Sequence, residues 1–284
     1  MRVVVTGAGG QLGRDTVAAC TSAGDEVLAC DRSALDITDR DQVLGAITSF
    51  APDAVIHCAA WTAVDACEDE PGRAFATNGL AVRWIAEACH RSGAHLVHLS
   101  TDYVFDGTLD RPYHEWDAPN PTSVYGASKL AGEDEALRLG GSAAVVRTSW
   151  VCGQHGTNMV RTVLGLIERQ PVLSFVDDQI GNPTFTADLA PVLRRIALDR
   201  RSGVLHLTNS RSVSWFEFVR EIVAAAGEDP GMVQPISSAD LQPARPARRP
   251  ANSRLDNRAA QMSGLPPMRD FAEPLAELVT VLTR

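Results

Sequence analysis

Val3-Val4-Val5-Thr6-Gly7-Ala8-Gly9-Gly10-Gln11-Leu12-Gly13 carries a short β-branched run straight into three glycines spaced three residues apart. A buried-type strand followed by Gly-x-x-Gly-x-x-Gly is a variant of the dinucleotide fingerprint. Its glycines permit a tight turn, close approach of a pyrophosphate to bare backbone, and close helix–strand packing. A helix expected over 11–23 aims its first N–H groups at the phosphates. The next strand, 26–30, leads into Asp31, 18 residues beyond Gly13, near the spacing of an acid that reads the adenosine ribose. Arg32 beside it can instead pair with a 2′-phosphate, so NADPH and NADH both stay open as cofactors.

Apolar runs of strand length at 3–6, 26–30, 54–58, 95–100 and 143–148 alternate with helical patterns at 11–23, 39–50, 71–91 and 125–138. Such alternation predicts an α/β fold, a Rossmann-type doubly wound parallel sheet with ligands at the carboxyl ends of its strands. Thr6, Asp31, Cys58-Ala59-Ala60 and Ser100-Thr101-Asp102 all fall at those ends. After Trp150 the pattern loosens into a smaller C-terminal α/β substrate-binding lobe. The expected division gives 1–150 to the dinucleotide-binding domain, with about 185–209 returning to it, and 151–184 and 210–284 to the lobe.

The net charge of −9 over 284 residues argues against nucleic acid or an anionic membrane as main partner. No apolar run reaches the roughly 18 residues of a membrane span, and the chain enters a strand rather than a signal peptide. Six cysteines without Cys-x-x-Cys spacing read as reduced thiols of a cytoplasmic enzyme. Seven histidines form no ligand-like cluster, so no metal is expected in the chemistry.

Tyr125-Gly126-Ala127-Ser128-Lys129 places a phenol and an ammonium four residues apart, on one helix face. A fixed ammonium favours the tyrosinate and is expected to pull the phenol down from about 10, which suits proton transfer at a carbonyl oxygen. Thr101, about two dozen residues earlier, offers a strand-end hydroxyl to the same carbonyl.

Together, Thr6–Gly13, Ser100–Gly107 and Tyr125–Lys129 resemble the extended short-chain dehydrogenase/reductase family. Ala59–Asp65, Arg147–Val151, Asp178–Thr184 and Arg249–Asp256 narrow the likeness, over essentially the whole chain, to its dTDP-4-dehydrorhamnose reductase branch. The resemblance implies that Tyr125 donates a proton to the 4-keto oxygen of a dTDP-4-keto-6-deoxy sugar as hydride arrives from NADPH or NADH. Lys129 then holds the nicotinamide ribose, and Thr101, with Asp102 and Tyr103, positions the sugar. Gly7, Gly10, Gln11 and Leu12 are implied at the pyrophosphate, Asp36 and Ile37 near the adenine, and Ala59, Ala60 and Thr62 along the cofactor. Val64, Asp65, Phe105, Trp150 and Asn182 are implied around the nucleotide-sugar. Within the Pro/Arg-rich stretch to Pro250, Arg245, Arg248 and Arg249 read either as a solvated loop or, with Arg254 beyond, as partners of the diphosphate. The divalent ion that some members use at a dimer contact is not carried over, because Thr184-Phe185-Thr186-Ala187-Asp188 lacks a Glu. The sequence does not fix the oligomeric state; a homodimer is the assembly considered.

Three rivals remain. A 4,6-dehydratase needs an Asp-Glu pair after the strand-end Thr, and here Asp102 is followed by Tyr103. A 4-epimerase is distinguished by a retained, non-exchanging cofactor. A non-catalytic NADP-binding regulatory subunit has no use for an intact Thr101, Tyr125 and Lys129 set.

Overall fold

The structure, a computed structural model, describes residues 1–138 and 142–284. The first half runs β1 (Arg2–Thr6), α1 (Gln11–Ser22), β2 (Glu26–Cys30), α2 (Arg40–Phe50), β3 (Ala54–His57), α3 (Val64–Asp69), α4 (Pro71–Phe75), α5 (Ala81–Ser92), β4 (His95–Thr101), α6 (Val124–Arg138) and β5 (Ala143–Thr148). Then follow β6 (Val151–Cys152), α7 (Met159–Ile167), β7 (Leu173–Val176), β8 (Ile180–Gly181), β9 (Thr184–Phe185), α8 (Thr186–Asp199) and β10 (Gly203–His206). The chain ends with β11 (Val213–Ser214), α9 (Trp215–Ala225), β12 (Val233–Ile236), α10 (Arg258–Met262) and α11 (Ala272–Leu282).

Six parallel strands form the central sheet in the order β10-β5-β4-β3-β1-β2. Successive residues of a strand face opposite sides, and both sides are covered. Val3, Val5, Ile56 and Val146 pack with Leu189, Leu193 and Ile196 of α8. Val4, Val55, Leu96 and Val145 pack with Val43 and Ile47 of α2 and with Val82 and Ile85 of α5. That is why the strands read as largely apolar runs. A separate apolar cluster joins α7, α9 and α11 through Val160, Phe218, Ile222, Phe271 and Leu275. No helix among the described residues is long and apolar enough to cross a membrane.

The helix expected over 71–91 is interrupted: α4 and α5 flank a π turn, Ala76–Leu80. On that turn the Asn78 side chain accepts from the Trp61 N–H at 2.8 Å and donates to the Trp61 C=O and the Ser128 hydroxyl, each at 3.0 Å. A wider turn of this kind re-aims a side chain without ending the helix.

One ion pair lies inside the apolar frame. Arg147 of β5 donates to Glu133 of α6 at 2.6 Å, with side chains 4% and 3% exposed, and the Ser100 hydroxyl donates to the same carboxylate at 2.5 Å. Removing one member leaves the other charged and unpaired in a dry site, which costs about 3–5 kcal/mol. Glu133→Ala is therefore expected to lose that much stability in urea titration; a loss below about 1 kcal/mol, the scale of an exposed pair, contradicts it.

Candidate active site

The glycine turn is built by close approach. Gly7 has φ +69°, and a Cβ there would lie 2.6 Å from the Ala59 nitrogen; one at Gly13 would lie 2.1 Å from the Gly7 carbonyl oxygen. The turn therefore seats α1 directly against the ends of β1 and β3. Gly10 caps α1 with no side chain, and no acidic residue occupies the first turn, so those N–H groups remain available to an anion. A cleft of about 670 Å³ opens there, walled by Gly7, Gly10, Asp31, Arg32, Asp36, Ile37, Ala59 and Ala60, with Trp61 and Thr77. These residues fit a dinucleotide: bare backbone for the pyrophosphate and polar groups at the β2 end for the adenosine.

Asp31 accepts from Ser33 N at 2.8 Å, Ser33 Oγ at 2.6 Å and Ala34 N at 3.0 Å, all through Oδ1. Asp36 accepts from the Thr38 hydroxyl and amide at 2.7 and 2.9 Å. The Ser33 and Thr38 hydroxyls lead in holding these carboxyls below the usual range. Of the residues expected in the cofactor site, Gln11, Leu12, Thr62, Tyr125 and Lys129 do not line this cleft. Leu12 packs into the core. The Gln11 side chain crosses to Val151 and Asn158. Thr62 lies exposed just beyond Trp61.

Lys129 is buried at 3% exposure and donates through Nζ to the Leu99 carbonyl at 2.6 Å. Tyr125, one turn earlier on α6, is also buried, and Tyr103 meets its ring edge-on at 5.5 Å. Gly126 makes this approach possible, since a Cβ there would lie 2.1 Å from the Tyr103 carbonyl oxygen. The Thr101 hydroxyl donates to Asp102 Oδ1 at 2.9 Å and is near enough to the phenol to ease its ionisation.

The expected acidification of Tyr125 does not appear. Burial raises the phenol above its ordinary range, and the Thr101 hydroxyl only partly opposes this. The ammonium that was to counteract burial is engaged by Leu99 and is itself pushed down by desolvation to about 8, with Glu133 pulling the other way. In a site this dry, desolvation outweighs the pairing. Asp102 shows the same physics: burial lifts it to about 6, against the hydroxyls of Ser253 and Thr101.

The substrate-side expectations divide. Val64 packs beside Tyr125 and Tyr103. Asp65 accepts from Nη1 and Nη2 of Arg249, at 2.9 and 2.7 Å, and from the Ala247 amide at 3.1 Å, so it straps the Pro/Arg-rich stretch down near Tyr103. Trp150 stacks on Trp215 with ring centroids 3.5 Å apart. Three residues are spent elsewhere. Phe105 is 1% exposed and stacked on Tyr113 at 4.1 Å, in the core. The Asn182 amide bonds Leu255 N, Arg211 O and Ser212 Oγ, stitching loops together. The Arg254 guanidinium donates to Asn252 Oδ1 at 2.8 Å and to Asp110 O at 2.5 Å.

Asn78, Glu133 and Trp215 were not singled out from sequence. Nothing in an isolated Asn, Glu or Trp signals such a role; each acquires it through a partner more than ten residues away.

The family model described as the RmlD substrate binding domain matches residues 1–284. A dTDP-4-dehydrorhamnose reductase of Streptomyces griseus is 42% identical over 97% of this chain and 92% of its own length. A dTDP-4-keto-6-deoxy-D-glucose reductase of Streptomyces niveus is 38% identical over 99% of this chain and 97% of its own. The crystal structure of the Bacillus anthracis dTDP-4-dehydrorhamnose reductase in complex with NADP superposes with a TM-score of 0.95 at 36% identity, over 99% of each chain. Matched along its whole length by that model and by these enzymes, the chain belongs to the RmlD family of dTDP-4-dehydrorhamnose reductases.

Proposed function

We propose that this protein is a cytoplasmic NADPH- or NADH-dependent reductase that converts the 4-keto group of dTDP-4-dehydro-6-deoxy-L-mannose to the alcohol, giving dTDP-L-rhamnose. The observation that carries the reading is the buried Tyr125 phenol beside the Thr101 hydroxyl, packed with Trp61, Val64 and Tyr103, with Lys129 one turn along α6 donating to the Leu99 carbonyl of β4. Gly7, Gly10, Asp31, Arg32, Ala59 and Ala60 hold the dinucleotide, which supplies the hydride when bound. Lys129 carries the positive charge that holds its nicotinamide ribose.

Tyr125 is the acid. Burial keeps the phenol protonated throughout the working range, so the donor is always loaded and releases its proton only when the ketone oxygen gains charge. Thr101 aligns that oxygen. Arg245 and Arg249 form the diphosphate site: they lie close enough together that Arg249, after burial, holds the Arg245 pKa down, with Asp65 the carboxylate opposing this. A diphosphate supplies the missing negative charge. Residues 151–184 and 210–284 make the nucleotide-sugar lobe. A second reading, reduction of a different dTDP-4-keto-deoxysugar with other stereochemistry at C4, is favoured by the Streptomyces niveus relative.

Incubation with the dTDP-4-keto-6-deoxy sugar, with and without a 3,5-epimerase, and with NADPH or NADH, tests both; NMR of the product must show rhamnose configuration for the first reading to stand. Tyr125→Phe is expected to lower kcat at least about a hundredfold, the scale of general acid catalysis, while cofactor binding persists. Turnover near wild type removes Tyr125 as the acid. Because Lys129 titrates near 8, its ammonium is present below that pH and lost above it. Cofactor affinity should fall as pH rises through 8, and Lys129→Met should both weaken binding and flatten the profile. A wild-type profile level from pH 7 to about 9.5 would remove the charge requirement.

A further inference from the structure

Gln11 lies in the first turn of the glycine helix, yet both ends of its amide are spent outside the cofactor cleft. Its Nε2 donates to the Val151 carbonyl at 2.9 Å, and its Oε1 accepts from Asn158 Nδ2 at 2.6 Å. The same Asn158 nitrogen donates to the Gly153 carbonyl at 2.8 Å, while Asn158 Oδ1 accepts from Arg161 N at 3.2 Å and caps α7. The 151–158 loop is moulded on Gln11: a Cβ at Gly153 would lie 3.2 Å from Gln11 Cγ, and one at Gly156 would lie 3.5 Å from Gln11 Cβ.

Trp150, immediately before Val151, has φ +46°, a conformation that bulky L-residues hold only when their surroundings impose it. Its indole is pressed between Trp215 and Gly181, where a Cβ would come within 2.5 Å of the ring. Backbone pairing of Val151 and Cys152 with Thr184 and Phe185 holds the segment on one side, and Gln11 holds it on the other.

We infer that Gln11 and Asn158 are positioning residues that couple dinucleotide binding to nucleotide-sugar binding. A pyrophosphate seated on the first turn of α1 fixes Gln11. Through Val151 and Asn158, Gln11 then fixes the strained backbone that presents Trp150. The inference rests on the proposed reductase reading, in which Trp150 borders the nucleotide-sugar. Linkage makes the effect reciprocal: each ligand tightens the other by the same factor.

Calorimetric titration of dTDP, a nucleotide diphosphate that cannot be reduced, into the enzyme with and without saturating NADP⁺ tests this. In the wild type, NADP⁺ should tighten dTDP at least about fivefold, the low end of allosteric coupling. Asn158→Ser retains an α7 cap but does not reach Gln11, so the ratio should fall below about twofold with a near-unchanged Tm. Gln11→Met, which keeps the packing and deletes the amide, should do the same. A wild-type ratio near one, or the full ratio kept in both variants, overturns the coupling. Failure of dTDP or NADP⁺ to bind the wild type at all overturns the reductase reading instead.

Discussion

A charged amine is held where water does not reach it, and the geometry of the open end of the sheet follows from that. Lys129 donates to the Leu99 carbonyl at the end of β4, and one turn further along α6 Glu133 takes Arg147 and Ser100. These polar ties fix both the rotation of α6 about its axis and its height over the sheet, which apolar packing alone does poorly. Once α6 is fixed, Tyr125 has one direction to face. The bare backbone at Gly126 and Gly132 lets the helix approach Tyr103 and Asn78 within van der Waals limits.

The sheet was legible because it is covered on both faces. Most positions of the central strands had to be apolar, with His57, His98, Ser100 and Arg147 among the buried exceptions, so the runs and their order in the chain could be read. The glycine turn was legible for a related reason, since no other residue tolerates a backbone 2.1 Å from where its Cβ would stand. Side-chain direction was not legible. Phe105, Asn182 and Arg254 occur in segments that do surround the site, yet each turns toward a neighbour that only the fold supplies: Tyr113, Leu255 and Asp110. Spacing places a residue near a site; it does not say which way the residue points. The π turn was not legible for the same reason, because the Asn78 on it pairs with the Trp61 backbone, a partner that only the fold supplies.

The titration behaviour of the centre shows a local rule yielding to a global one. Four-residue spacing brings phenol and ammonium to one helix face, and in water that proximity decides which form prevails. Inside the protein both groups lose hydration together, and each shifts toward its neutral form. Such a site favours groups that rest neutral and bear charge only transiently. The protein stores a proton here, not a negative charge.

The Asp65–Arg249 strap is fastened by ions rather than by oil. Its carboxylate is 41% exposed, and an ion pair with one wet partner is screened by mobile electrolyte, whereas the apolar layers under the sheet are not. Ionic strength therefore acts on this molecule selectively: it loosens the clasp beside Tyr103 long before it disturbs the apolar body.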